Sequence, residues 1–155
     1  RRISFGLESG SQRMLKLMAK GTTVEVNARF VQDAYDACLS VRATMIVGYP
    51  GERAEDLRDT VAFLQAHEGK IDRIHLTRFK PIPGTRFERM YERRSRRVRG
   101  ISELKWDHRY ARADYELSIG ADPAYRAELR RLVNLGHRMN RRPIRDTAAQ
   151  FDGLM

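Results

Sequence analysis

Glu8 is the residue most able to do chemistry in this chain. It closes an alternating run, Ile3-Ser4-Phe5-Gly6-Leu7, and Ser9, Gly10 and Ser11 follow it. A carboxylate at the end of a strand, beside two hydroxyls, can accept hydrogen bonds from a ribose diol. It can equally be an acid that caps the next helix. Lys20, twelve residues on, suits a ligand carboxylate or the C-terminal dipole of that helix. Further along, Ile46, Gly48 and Pro50-Gly51 combine an apolar strand edge with exposed backbone. Such a surface accepts a flat adenine ring, and it is also what an ordinary strand-to-helix turn contains.

Other chemistries find little support. His67, His75, His108 and His137 are scattered, and no pair has metal-ligand spacing with a third ligand nearby. No metal site is expected. The one cysteine, Cys38, falls on the expected buried face of a helix, which points to packing. The glycine turns match neither Gly-x-x-x-x-Gly-Lys-Ser/Thr nor Gly-x-Gly-x-x-Gly.

The elements that must position these residues follow from periodicity. Ile3, Phe5 and Leu7 alternate with small or polar residues, the period of a strand. Thr22-Thr23-Val24-Glu25 reads as a capping box with Thr22 as the cap. The expected helix, Glu25 to Leu39, buries Val26, Phe30, Ala34 and Cys38. A second strand runs from Val41 to Val47, and its apolar centre, Met45-Ile46-Val47, suggests burial on both faces. Glu52, Glu55 and Asp56 open a helix whose stripe is Leu57, Val61 and Leu64. A third strand, Ile74 to Phe79, leads into the rigid loop Pro81-Ile82-Pro83-Gly84. Residues 1–80 thus read β-α-β-α-β, an α/β fold, either an open sheet or part of a (β/α) barrel. Beyond Gly84 the expectation is a helical, Arg-rich extension. Ile101, Leu104, His108, Ala111 and Tyr115 have helical spacing. Asp122-Pro123 starts a last helix, and a mobile tail follows Arg142.

The chain has 155 residues, 41% apolar and 32% charged, the profile of a soluble globular protein. No apolar run reaches the roughly 18 residues of a membrane span. A lone cysteine excludes a disulfide framework, and nothing reads as a signal peptide, so the expected location is cytoplasmic. The net charge of +10 suggests an anionic partner such as nucleic acid, or else a solvated basic face. The stretch Arg86–Arg99, with Tyr91 and Trp106 nearby, is the expected nucleic-acid contact of a rival, binding-module reading.

Four motifs together carry a resemblance: Gly6-Leu7-Glu8-Ser9-Gly10-Ser11-Gln12, Lys20-Gly21-Thr22, Ile46-Val47-Gly48-Tyr49-Pro50-Gly51-Glu52 and Pro81-Ile82-Pro83-Gly84-Thr85. In order and spacing they resemble the second half of a radical S-adenosylmethionine (SAM) domain, of the type often joined to a cobalamin-binding domain. The resemblance covers residues 1–87 and leaves 88–155 outside it. It implies the C-terminal half of a (β/α) partial barrel, a 4Fe–4S cluster that cleaves SAM to a 5′-deoxyadenosyl radical, and a small-molecule substrate. Cobalamin-dependent methyl transfer is one implied reaction. Glu8 would bind ribose with Ser9 or Ser11 assisting, and Lys20 would meet the SAM carboxylate. Thr44 and Ile46 would flank ribose and adenine, and Gly48 with Pro50-Gly51 would shape the adenine pocket. Thr77 to Phe79 would close its other side, with Arg78 toward substrate. The family's Cys-x-x-x-Cys-x-x-Cys loop has no counterpart here, and a cluster needs several thiolates. The expectation is therefore a fragment, inactive alone, whose partner is the N-terminal half of the same protein.

Overall fold

The computed structural model describes residues 1–93 and 101–146. Its elements in chain order are β1 (Arg2–Glu8), α1 (Gln12–Leu17), α2 (Val24–Asp36), β2 (Ser40–Val47), α3 (Ala54–Ala66), β3 (Arg73–Arg78), α4 (Arg86–Arg93), β4 (Ile101–Asp107), β5 (Arg112–Leu117) and α5 (Pro123–Asn140). The first three strands form a parallel sheet in the order β1-β2-β3. The expected β-α-β-α-β order is therefore present, and the fold is mixed α/β. Among the described residues, no helix is long and apolar enough to cross a membrane.

One face of this sheet is covered and the other is not. Register places Phe5, Ala43 and Ile74 side by side, with Met45 beside Leu76. They meet Leu57, Val61 and Leu64 of α3, Val31 of α2, and Leu132 and Met139 of α5 in one core. The opposite rows are Ser4-Arg42-Arg73, Gly6-Thr44-His75 and Ile46-Thr77. Ser4, Gly6, Arg42, His75 and Thr77 are exposed. The expectation of a β2 buried on both faces is corrected: Met45 is buried, whereas Ile46 and Val47 are only half-buried. A run of apolar residues gave no sign of which face lacks a cover.

Three further expectations are corrected. Residues 101–117 form an antiparallel hairpin, β4-β5, not a helix. Leu104 and Trp106 recur with period two, and with Tyr115 they pack against the cluster of Phe79, Phe87 and Tyr91. Helical spacing in that stretch was a coincidence of positions. The helix cap of α2 is Thr23, whose hydroxyl accepts from Val26 N–H. Its buried face also differs from the expected one: Asn27, Val31 and Ala34 are buried, Val26 is exposed, and Cys38 lies exposed in the turn after the helix. Finally, the chain beyond Arg142 is anchored as far as Arg145. Arg142 donates to the Glu68 carbonyl at 2.7 Å. Arg145 reaches the Leu39 carbonyl at 2.6 Å and the Asp72 carboxylate at 3.3 Å. The rest of the expected tail, and Arg94–Arg99 of the basic run, lie outside the described residues.

The start of α5 is as the sequence implies: Asp122 accepts from Ala124 N–H at 2.9 Å ahead of Pro123. Its end protects the sheet. Asn140 accepts from Ile74 N–H at 2.7 Å and donates to the Ile74 carbonyl at 2.8 Å. Both groups belong to the free edge of β3, where unpaired backbone invites aggregation.

The turn after β1 lies directly on α3. A Cβ added at Gly10 would stand 2.7 Å from both Thr60 Cα and Phe63 Cβ. Overpacking of this kind costs about 1–3 kcal/mol, or roughly 2–12 °C in a domain of this size. Gly10→Ala should lower the thermal midpoint by that much. Gly69→Ala, with nothing within 4 Å, should leave it nearly unchanged. Equal midpoints for the two variants would overturn this packing.

Candidate functional site

The candidate site lies at the C-terminal edge of the parallel sheet, the edge where open α/β sheets bind ligands. Its centre is the irregular end of β1. Register shifts between Gly6 and Glu8, and Glu8 has a left-handed backbone with φ of 63°. A non-glycine residue there costs of order 1–3 kcal/mol. The result is a side chain folded back over the uncovered face: a Cβ at Gly6 would lie 2.5 Å from Glu8 Oε1. Glycine at position 6 leaves room for the carboxylate. Thr44 is the register partner of Gly6, in the next strand.

Lys20 donates to Glu8 Oε1 at 2.5 Å. Its position is set by the end of α1, where Ala19 and Gly21 are both left-handed and Lys20 N–H closes on the Leu15 carbonyl at 3.0 Å. The pair is partly open to solvent, with Lys20 36% and Glu8 12% exposed in the side chain.

Ser9 and Ser11 face the other way. Ser9 Oγ lies 3.1 Å from Thr60 Oγ1, and Ser11 Oγ donates to Asp56 Oδ1 at 2.8 Å. Both residues are buried. They clamp the turn to α3 instead of lining the open face with Glu8. Asp56 also accepts from Arg53 N–H at 2.8 Å and forms an ion pair with Arg13. Burial pushes the Asp56 carboxyl up, but the hydrogen bonds from Arg13, Ser11 and Arg53 outweigh it and hold it below the usual range. Arg13 continues to the Gly51 carbonyl at 2.8 Å and so joins the first turn to the second.

The turn after β2 is held from inside. Gly48 and Gly51 have φ of 75° and 86°, values that favour glycine. Gly48 N–H donates to Glu52 Oε2 at 2.7 Å, and Tyr125 of α5 donates to the same oxygen at 2.6 Å. Glu52 is buried, and burial pushes its carboxyl up to about 7, despite the two hydrogen bonds. Burial and the nearby Glu52 charge also raise the Tyr125 phenol.

At the end of β3, Thr77 Oγ1 donates to the Met45 carbonyl at 3.0 Å. Phe79 is buried, with ring centroids 4.7 Å from Tyr49 and 5.0 Å from Phe87. Ile46, Thr77 and Phe79 line one open cleft of ≈ 790 Å³ with Leu17, Tyr49 and Met90, and Lys16, Arg78, Lys80 and Arg86 rim it. The structure therefore joins Ile46, Thr77 and Phe79 in the cleft and pairs Glu8 with Lys20. It sets Thr44 beside the glycine that Glu8 overhangs. Gly48 lies behind them, in the turn. Arg13, Thr60 and Tyr125 did not stand out in the sequence. Glu52 and Asp56 read only as acids of a helix start.

Among the described residues, no three His, Cys, Asp or Glu side chains gather to hold a metal. Cys38 precedes β2 and so lies at the opposite edge of the sheet from Glu8. These residues do not fit the thiolate set of a 4Fe–4S cluster.

The buried Glu52 makes a pH prediction. Its ordinary value is 4.5 and its folded value about 7. Between these values the folded state binds more protons than the unfolded one, so stability falls as pH rises from about 4.5 to 7 and is level above. The full shift amounts to about 3 kcal/mol. Urea unfolding at pH 5 and pH 8 should show this loss, and Glu52→Gln should remove most of it. A loss of the same size in the variant would contradict the assignment.

No family model matches the chain. Curated relatives do. It is 33% identical over 84 residues to the ribosomal protein uS12 methylthiotransferase RimO of Salmonella arizonae, covering 53% of this chain and 19% of that protein. It is 36% identical over 84 residues to the RimO of Mannheimia succiniciproducens, covering 53% and 18%. It is 33% identical over 86 residues to an uncharacterized protein of Methanocaldococcus jannaschii, covering 56% and 17%. The chain thus spans less than a fifth of the length of these relatives. Over about half of its own length it is similar to enzymes whose name states methylthio transfer to a ribosomal protein.

Proposed function

We propose that this chain is the nucleoside-binding part of a radical SAM enzyme. The observation that carries the reading is the Glu8 carboxylate, folded over Gly6 on the uncovered face of a parallel sheet and paired with Lys20, whose neighbour Ala19 lines an aromatic cleft. Parallel sheets are ordinarily covered on both faces. A polar uncovered face with an acid at its C-terminal edge suits the lumen of a (β/α) partial barrel. Similarity to methylthiotransferases supports the same family.

In this reading Glu8 accepts from the ribose hydroxyls and Lys20 exchanges Glu8 for the SAM carboxylate. Thr44 lies along the ribose, and Ile46 with Thr77 and Phe79 packs the adenine. Gly48 and Pro50-Gly51 shape the pocket wall, and Ser9 and Ser11 hold the Glu8 turn to α3. SAM supplies a 5′-deoxyadenosyl radical or a methyl group, and this chain binds and orients it. The cluster's thiolates come from outside these residues, so the chain alone is inactive. Residues 1–87 carry the cofactor contacts, and 88–155 shape access to the substrate. Transfer of a methylthio group is the reaction that the relatives' name suggests. Cobalamin forms no part of the proposal.

The test is binding. S-adenosylhomocysteine should bind the full chain in calorimetry, and Glu8→Ala should weaken it at least tenfold. Gly6→Ala should do the same with little change in thermal midpoint, because its Cβ would displace only the flexible end of Glu8. Unchanged affinity in both variants would remove Glu8 from the site.

A further inference from the structure

The cleft is bordered by a row of cations. Arg86, Arg89 and Arg93 lie on one face of α4, within about 60° of one another at 100° per residue. Phe87 and Tyr91 take the buried face. The three arginines step along the helix by about 4.5 and 6 Å. None of them makes an ion pair among the described residues. Arg86 belongs both to this row and to the cleft wall. On the other side, Arg78 and Lys80 border the cleft and a second groove that reaches Arg112 of β5.

The hairpin tip adds an independent observation. Tyr110 is 61% exposed, the most open large apolar side chain among the described residues. The Arg109 and Arg112 guanidinium carbons lie 5.4 and 5.1 Å from its ring centroid. Asp107 fixes the tip by accepting from Tyr110 N–H, and Ala111 turns it with φ of 48°. Asp107 also pairs with Arg112 at 3.4 Å. An exposed ring between two arginines offers a stacking surface flanked by phosphate-binding groups. Tyr91 and Trp106, the aromatics that the sequence singled out, are buried and half-buried instead.

We infer that single-stranded nucleic acid binds along this track, from the α4 arginines past the cleft mouth to Tyr110. Repeated cations, three of them (Arg86, Arg89 and Arg93) without an acidic partner among the described residues, follow a phosphate backbone. An open aromatic face takes an unpaired base, which an acidic peptide would not use. Strand binding stands on these residues alone. Delivery of a base into the cleft rests on the nucleoside reading above, and makes nucleic acid the substrate class of that site.

The experiment is fluorescence anisotropy with labelled 12-nucleotide RNA and DNA, the full chain and no cofactor, from 50 to 300 mM salt. Some three to six phosphate contacts should give a slope of log K against log salt of about −2 to −4. Replacing Arg86, Arg89 and Arg93 together by alanine should flatten it by about 2. Tyr110→Ala should weaken binding about tenfold at every salt with the slope kept, and Tyr110→Phe should restore it. Binding of either sugar supports the inference. An unchanged slope in the triple variant, no effect of Tyr110→Ala, or displacement of the strand by polyglutamate at equal charge would overturn it. Strand binding without S-adenosylhomocysteine binding would sink the cofactor reading alone, and cofactor binding without strand binding would sink this one, so the two failures are told apart.

Discussion

The first turn of α3 is the point on which the ligand edge depends. Asp56 there receives Ser11, Arg13 and Arg53 N–H, Thr60 receives Ser9 and Gly10 N–H, and Glu52 just before it receives Gly48 N–H and Tyr125. Both strand-to-helix turns therefore hang on one helix end. Hydrogen bonds to a charged group contribute about 1.5–3 kcal/mol each, and leaving one partner buried and unpaired costs at least as much. No local propensity in the two turns approaches that. The left-handed residues at Glu8, Gly48 and Gly51 are tolerable because the bonds to α3 over-determine them.

That clamp also sorts the polar residues by face. Everything hydrogen-bonded to α3 lies on the covered side of the sheet and is used up in holding the turns. On the uncovered side, beside Ser4, Arg42, Arg73 and His75 of the rows nearer the strand starts, Glu8, Thr44 and Thr77 stand toward the C-terminal edge, over the bare backbone of Gly6. The uncovered face is polar, yet its sheet is parallel, an arrangement ordinarily protected on both sides. The free edge of β3 is partly protected by Asn140, which imitates the backbone of a further strand at Ile74. Edge and face together give the molecule a polar floor with the cleft at its end.

The legible parts were those fixed by short-range signals. The alternation of Ile3, Phe5 and Leu7, the glycine turns and Asp122-Pro123 each state their structure within a few residues, and the β-α-β-α-β order followed from them. What failed depended on partners far along the chain. The burial of Ser9 and Ser11 is decided by α3, about fifty residues away, and the role of Glu52 by Tyr125 on the last helix. The hairpin at 101–117 was misread because Ile101, Leu104, His108, Ala111 and Tyr115 happened to fit a helix. Its true cover, Phe79 and Phe87, belongs to other elements. The face that α2 buries, Asn27, Val31 and Ala34, is chosen by the sheet beneath it, and the helix ends at Asp36, before Cys38.

The contrast between the two kinds of acid decides which can serve a ligand. Removing Asp56 or Glu52 from its partners would strand buried polar groups, so a ligand could not profitably take their place. The Glu8–Lys20 pair is different. A partly exposed ion pair is worth only about 0–1 kcal/mol, so separating it costs little if both ends find new partners. A ligand carrying a diol and a carboxylate offers those partners at once, the diol to Glu8 and the carboxylate to Lys20. Lys20 sits on a turn between two left-handed residues, while Glu8 is anchored to the strand. In the proposed binding the lysine would be the half that moves, and the carboxylate over Gly6 the fixed half around which the exchange is built.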